Sequence, residues 1–144
     1  MPRIQPNPEA KPMGDFPVVA KGTYRMVIDP NPEEVKEEQS KAGNSMLRFL
    51  VRFADPYHEL KDENGEALTQ DPGTIFHRCV TAPKEKQGML CALVSGCGIA
   101  WTSWDGDTDT LAGRVFEAQV GIEEYEGRKR NSIRRVSLPK EVVA

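Results

Sequence analysis

The chain is poor in most of the side chains on which catalysis and metal binding depend. Its 144 residues include two histidines and three cysteines. Neither His58 nor His77 belongs to a nucleophile motif of the G-x-S-x-G kind. The phosphate loop G-x-x-x-x-G-K-[ST] and the zinc-protease motif H-E-x-x-H are missing as well. Cys79, Cys91 and Cys97 are odd in number in a chain long enough to fold without staples, so reduced, partly buried thiols are expected. They form no C-x-x-C pair, and zinc with His77 is not expected. Asp105-Gly106-Asp107-Thr108-Asp109 sets carboxylates at alternate positions. It lacks the sixth-position glycine of a calcium loop and has Phe116 where the bidentate Glu belongs, so it reads as a turn of capping aspartates. The expectation is a protein with no catalytic residues, no metal and no cofactor: not an enzyme.

Long apolar runs are missing too. None approaches the ~18–20 residues of a membrane span, and no signal-like stretch opens the chain. A soluble, cytoplasmic protein without a membrane partner is expected. Apolar residues make up 38%, and with the 12 glycines they fall in the roughly 45–50% usual for globular chains. A core can form, and the length suits one domain of ~150 residues. Net charge is small, −3 from 19 basic and 22 acidic groups, but its sign is segregated. Asp29, Glu33, Glu34, Glu37 and Glu38 stand against Lys36 alone. Arg128, Lys129, Arg130, Arg134 and Arg135 stand against Glu126 alone. Distribution, rather than the sum, decides which partners such a surface attracts.

Prolines 2, 6, 8, 12 and 17 make residues 1–17 an extended arm, because proline removes donors and fixes φ. Gly22 to Ile28 is rich in strand formers and stops at Asp29-Pro30-Asn31-Pro32. Glu33 to Ser40 has helical propensity without an apolar stripe and reads as a solvated helical turn in a long loop. Met46 to Phe53 alternates cleanly, with Leu47, Phe49, Val51 and Phe53 on one face. Thr74 to Val80 is a third strand after a polar, turn-rich stretch. Leu90, Leu93 and Val94 at helical spacing follow Pro83, and Gly96 and Gly98 supply a stop. Arg114 to Tyr125 and Arg130 to Leu138 form the last two strands, joined by a loop at Glu126-Gly127-Arg128-Lys129. Five antiparallel strands with a helix between strands three and four describe a five-stranded OB-type barrel over 18–139, followed by a short tail at 140–144. A small α+β sandwich is the alternative order.

Single strands of nucleic acid are gripped by cations that track phosphates and by aromatic faces on which bases stack. Tyr125, Arg128, Lys129, Arg130 and Asn131 supply both at the last hairpin, and Arg134 follows on the returning strand. Arg48 and Arg52 share the outer face of the second strand. On the third strand either Phe76 and Arg78 or Ile75 and His77 face outward; the first choice adds an aromatic and a cation to the same groove. A basic hairpin also serves as a solvated tip, and Tyr24, Trp101 and Trp104 read first as packing residues.

Several short motifs carry a family resemblance. They are Gly22-Thr-Tyr-Arg-Met-Val-Ile, Lys41-Ala-Gly43-Asn44-Ser-Met46-Leu47, Leu93-Val94-Ser-Gly96-Cys-Gly98, Leu111-Ala-Gly113-Arg114 and Tyr125-Glu-Gly127-Arg128-Lys-Arg130-Asn131. Between Gly22 and Val136 the chain resembles small bacteriophage single-stranded DNA-binding proteins of the OB fold, long catalogued as a family of unknown function. The resemblance implies sequence-tolerant protection of single strands during phage replication or recombination, in the cytoplasm of the host cell. It puts the loop containing Lys41 and the Tyr-x-Gly-Arg hairpin beside the groove. It also implies replication or recombination proteins as partners, although Leu138 to Ala144 lack the acidic run that recruits them in many such proteins. The competing expectation is a protein-binding OB module, a structural or accessory phage protein, with a peptide in the same groove.

Overall fold

The computed structural model describes residues 3–8 and 17–138, and of Tyr125 the backbone alone. Six strands and one α-helix make up its regular elements. They are β1 (Gly22–Ile28), β2 (Lys36–Gln39), β3 (Ser45–Phe53), β4 (Thr74–Ala82), α1 (Gly88–Gly96), β5 (Val115–Tyr125) and β6 (Arg128–Ser137). Residues 3–8 of the expected arm contain neither helix nor strand; residues 9–16 and the tail at 140–144 lie outside the described residues.

All pairings are antiparallel. β1 pairs with β3 on one side and β5 on the other, β6 adds to β5, and β4 lies on the far edge of β3. One edge of β3 is shared: its first half pairs with β2, from Lys36↔Arg48 to Gln39↔Ser45, and its second half with β1, from Ile28↔Val51 to Met26↔Phe53. β4 and β6 come within 8 Å Cα to Cα, yet no hydrogen-bonded ladder joins them among the described residues. The fold is thus mostly β with a single α-helix among the described residues, and its antiparallel sheet is unclosed: these pairings alone do not complete the OB-type barrel expected from the sequence.

The strand count changes as well. Lys36-Glu-Glu-Gln, expected as a helical turn, is a strand, because β3 offers it an edge and backbone pairing outweighs weak local propensity. With that addition the helix follows β4 and precedes β5; it does not lie between the third and fourth strands.

Period-two alternation explains which side is buried. Met26 and Ile28, then Phe49, Val51 and Phe53, then Ile75 and Cys79, then Phe116, Ala118 and Val120 all point inward. Each fully buried apolar side chain of Val, Leu, Ile, Phe or Met size contributes about 1.5–3 kcal/mol relative to exposure. Leu90, Leu93 and Val94 of α1 complete the core, and α1 sits close to β6 because Gly96 has no side chain there. A Cβ on Gly96 would lie 2.6 Å from Val136 Cγ1. Gly98 ends the helix with φ +86°, donating to Ser95 O at 3.0 Å.

Candidate nucleic-acid interface

β4 settles the choice of faces. Ile75, His77 and Cys79 are buried, so Phe76 and Arg78 face outward, with Phe76 50% exposed. Opposite stands the β5–β6 hairpin. Its turn is only Glu126 and Gly127, at φ 51° and 78°, the two positive values that a two-residue type I′ hairpin requires. The four-residue loop expected there is thus too long. Arg128, Lys129 and Arg130 belong to β6, opposite Tyr125, Glu124 and Glu123, on a ribbon rather than on a loose tip.

Between the two walls runs a groove of about 510 Å³. Phe76 and Arg78 line one side, and Arg128, Lys129, Arg130 and Asn131 the other. Val18, Phe53 and Pro72 add apolar surface, and Glu123 and Glu126 add acid. These last five do not announce themselves in the sequence as groove residues. Glu123 is readable in principle, as the residue opposite Arg130 once the hairpin register is known.

Most of the cations already have carboxylate partners. Arg130 Nε lies 2.6 Å from Glu123 Oε1 and Lys129 Nζ 3.3 Å from Glu63 Oε2, whereas Arg128 has no ion pair among the described residues. Next to the other wall, with neither Glu38 nor Arg48 among the residues that line the groove, Glu38 of β2 bridges two guanidiniums, Arg78 Nε at 2.8 Å and Arg48 Nη1 at 3.3 Å. Those guanidiniums lie against the Phe76 ring, with Arg48 Cζ 4.4 Å and Arg78 Cζ 5.7 Å from its centroid. The hydrogen bond from Arg78, with the charges of both arginines, holds the Glu38 carboxyl below its usual range. The pairs of Arg78, Lys129 and Arg130 are exposed, and such pairs contribute little, so an incoming anion can compete for these cations; the Arg48 pair is partly buried.

Four expected site residues lie elsewhere or act otherwise. Lys41 sits in the turn between β2 and β3. The register puts that turn beyond Ser45↔Ala82, at the opposite end of β4 from the groove-lining Thr74 to Arg78. Arg52 pairs with Asp29 at 3.1 Å and lines not the groove but an adjoining cavity of about 360 Å³ beside Tyr57, which shares Phe53, Pro72 and Thr74 with it. Asn131 lines the groove, but its amide is spent on the backbone. It accepts from Val19 N at 2.8 Å and donates to Val19 O at 2.8 Å and Gly121 O at 3.2 Å, clipping the incoming chain to β6. Arg134 is the extra residue of a β-bulge opposite Gln119 and Val120. Its side chain folds across Gly121, where a Cβ would collide with it, and donates to Ile122 O at 3.1 Å. The Tyr125 side chain lies outside the described residues.

The remaining polar groups are structural. Asp105 and Asp107 accept from the backbone N–H groups of Asp107 and Asp109, each at 2.9 Å, capping the short helical turn at Thr108–Leu111. Burial lowers His77 to about 4 and raises Cys79 to about 12. Cys97 is pushed up by burial to about 11 against the opposing charge of Arg114. Thiols at such values are not nucleophiles at neutral pH. Among the described residues no three His, Cys, Asp or Glu side chains come together to hold a metal ion, and no helix is long and apolar enough to cross a membrane. No protein-family model and no curated protein matches the chain.

Proposed function

We propose that the protein binds single-stranded nucleic acid, DNA in the first place, with weak sequence preference, on an OB-type barrel. One observation carries this reading: a half-exposed Phe76 and the consecutive cations Arg128, Lys129 and Arg130 line one groove of about 510 Å³. An aromatic face rewards an unpaired base, and the cations track the phosphates. The strand path supports the architecture. β1 pairs with both neighbours, β3 continues to β4 and β5 to β6, and the approach of β4 to β6 is where such a barrel closes; β2 is then an insertion. The likeness to phage single-strand binders supports a role in protecting single strands during phage replication or recombination, in the host cytoplasm, beside replication or recombination proteins.

Titration of labelled oligo-dT, oligo-U and a duplex of equal length tests the reading. Oligo-dT binds more tightly than duplex, because stacking needs exposed bases. Equal binding to duplex means that charge alone is read, and the single-strand assignment falls.

A second reading, a peptide-binding groove, draws on the apolar lining of Val18, Phe53 and Pro72 and on the acids Glu123 and Glu126. Salt separates the two. Counterion release makes the log affinity of a single strand fall by about 0.7 per neutralised phosphate for each unit of log salt. A peptide held by apolar surface responds far less.

A further inference from the structure

The acidic segment that includes Glu38, expected as a solvated loop, reaches Arg78, a residue that lines the proposed interface. Glu38 lies on β2, an edge strand hydrogen-bonded within the sheet to β3, and its two carboxylate oxygens take one guanidinium each, Arg48 and Arg78. Two positive groups share one negative group, so the cluster keeps a residual positive charge. Its hydrogen bonding is incomplete too: Arg48 Nε is buried with no acceptor among the described residues. A shared carboxylate cannot satisfy two guanidinium forks, whereas a phosphate offers more acceptor oxygens in a geometry that matches the fork. The Phe76 ring beside the guanidiniums is half exposed and lines the same groove as Arg78.

We infer that Arg48 and Arg78 form a phosphate subsite beside the Phe76 platform, and that Glu38 is an internal stand-in for that phosphate, displaced when a nucleic-acid strand enters. The inference rests on the single-strand reading and extends it to a residue of opposite sign. Glu38 sets how tightly the strand is held: each binding event first breaks its two ion pairs. The Arg78 pair costs little to break because it is exposed, at side-chain exposures of 42% and 27%; the Arg48 pair, at 23% and 27%, is partly buried. The gain is selectivity, since a lone anion of low charge does not repay the exchange, while a polyanion does so through many phosphates at once.

Glu38→Gln tests this by keeping the shape and removing the charge. Oligo-dT affinity is measured for wild type and variant across a salt series, with thermal melts of both. The expected result is binding roughly two- to fivefold tighter in the variant at low salt. The dependence of log affinity on log salt steepens by about 0.7 for each additional phosphate that the variant neutralises. A wild type that binds and a variant with the same or weaker affinity overturn the inference while leaving the single-strand reading intact. A variant that only melts earlier assigns Glu38 to holding β2 in place and overturns it likewise. If neither protein binds oligo-dT, the single-strand reading and the inference fall together. Binding by the variant alone supports the stand-in role in its strongest form.

Discussion

His77 shows how burial fixes chemistry at single positions. Its ring is 4% exposed on the inner face of β4, opposite Phe49, and Nε2 has no partner among the described residues. Burial without an acceptor disfavours the charged form, which lowers the value from 6.5 to about 4. Above pH 6.5 the imidazole is neutral in both folded and unfolded chains and adds no pH dependence. Between 6.5 and about 4 the unfolded chain takes up a proton that the folded one refuses, so stability falls as pH falls. Below about 4 the loss is complete, at roughly 3 kcal/mol from the size of the shift. Urea unfolding of wild type and His77→Leu at steps between pH 7 and 4 should show this slope in the wild type in excess of the variant. Equal slopes assign the acid sensitivity to carboxylates instead. Asn131 makes the complementary point: a polar residue in a basic stretch looks like a ligand-binding group, but two backbone groups of Val19 claim it. No spacing in the sequence announces a partner 112 residues away.

Among the elements, the β5–β6 hairpin carries the sharpest expectation. Replacing Arg128, Lys129 and Arg130 together by Ala removes exposed side chains, and surface changes usually stay within about ±0.5 kcal/mol each. Thermal midpoint should therefore move little, although Arg130 gives up its 2.6 Å pair with Glu123. Affinity for oligo-dT should fall nearly uniformly across sequences, and the salt slope should shrink by about 0.7 for each phosphate left without its cation. Unchanged affinity and slope make the hairpin a solubility feature and move the groove elsewhere. The strands with apolar alternation were legible because their burial is written locally: Gly22–Ile28 and the Met46–Phe53 run lie where the pattern puts them. β2 was not legible. Lys36-Glu-Glu-Gln has no apolar face, and only the edge of β3 makes it a strand. Missing β2 also hid Glu38, whose position opposite Met46 brings its carboxylate to Arg48 and Arg78. The same register explains why Lys41, in a turn as its Ala-Gly-Asn neighbours suggest, belongs to the wrong end of the sheet for the groove.

At the scale of the whole molecule, the open seam between β4 and β6 links binding to stability. The groove lies along strands that approach without pairing, and the segment at Pro17 and Val18 lines it, with Val19 clipped to β6 by Asn131. On the proposed reading, a strand laid between Phe76 and the Arg128–Arg130 ribbon would touch both sides of the seam and would bind the folded chain but not the unfolded one. Mass action then stabilises the fold by RT ln(1 + [L]/Kd), about 2.7 kcal/mol at a hundredfold excess over Kd. For a chain of this length each kcal/mol raises the melting midpoint by roughly 2–4 °C, so oligo-dT should raise it by about 5–10 °C. The rise should shrink as salt increases, as any grip on phosphates does. Two features distinguish it from non-specific charge neutralisation. It should be larger with oligo-dT than with duplex at equal phosphate concentration, because only unpaired bases reach Phe76. It should shrink in Phe76→Ala at fixed salt, because stacking on the ring is worth ~1–3 kcal/mol per base. A midpoint that rises equally with duplex, or that ignores loss of the Phe76 ring, would mean that the seam is not where the strand lies.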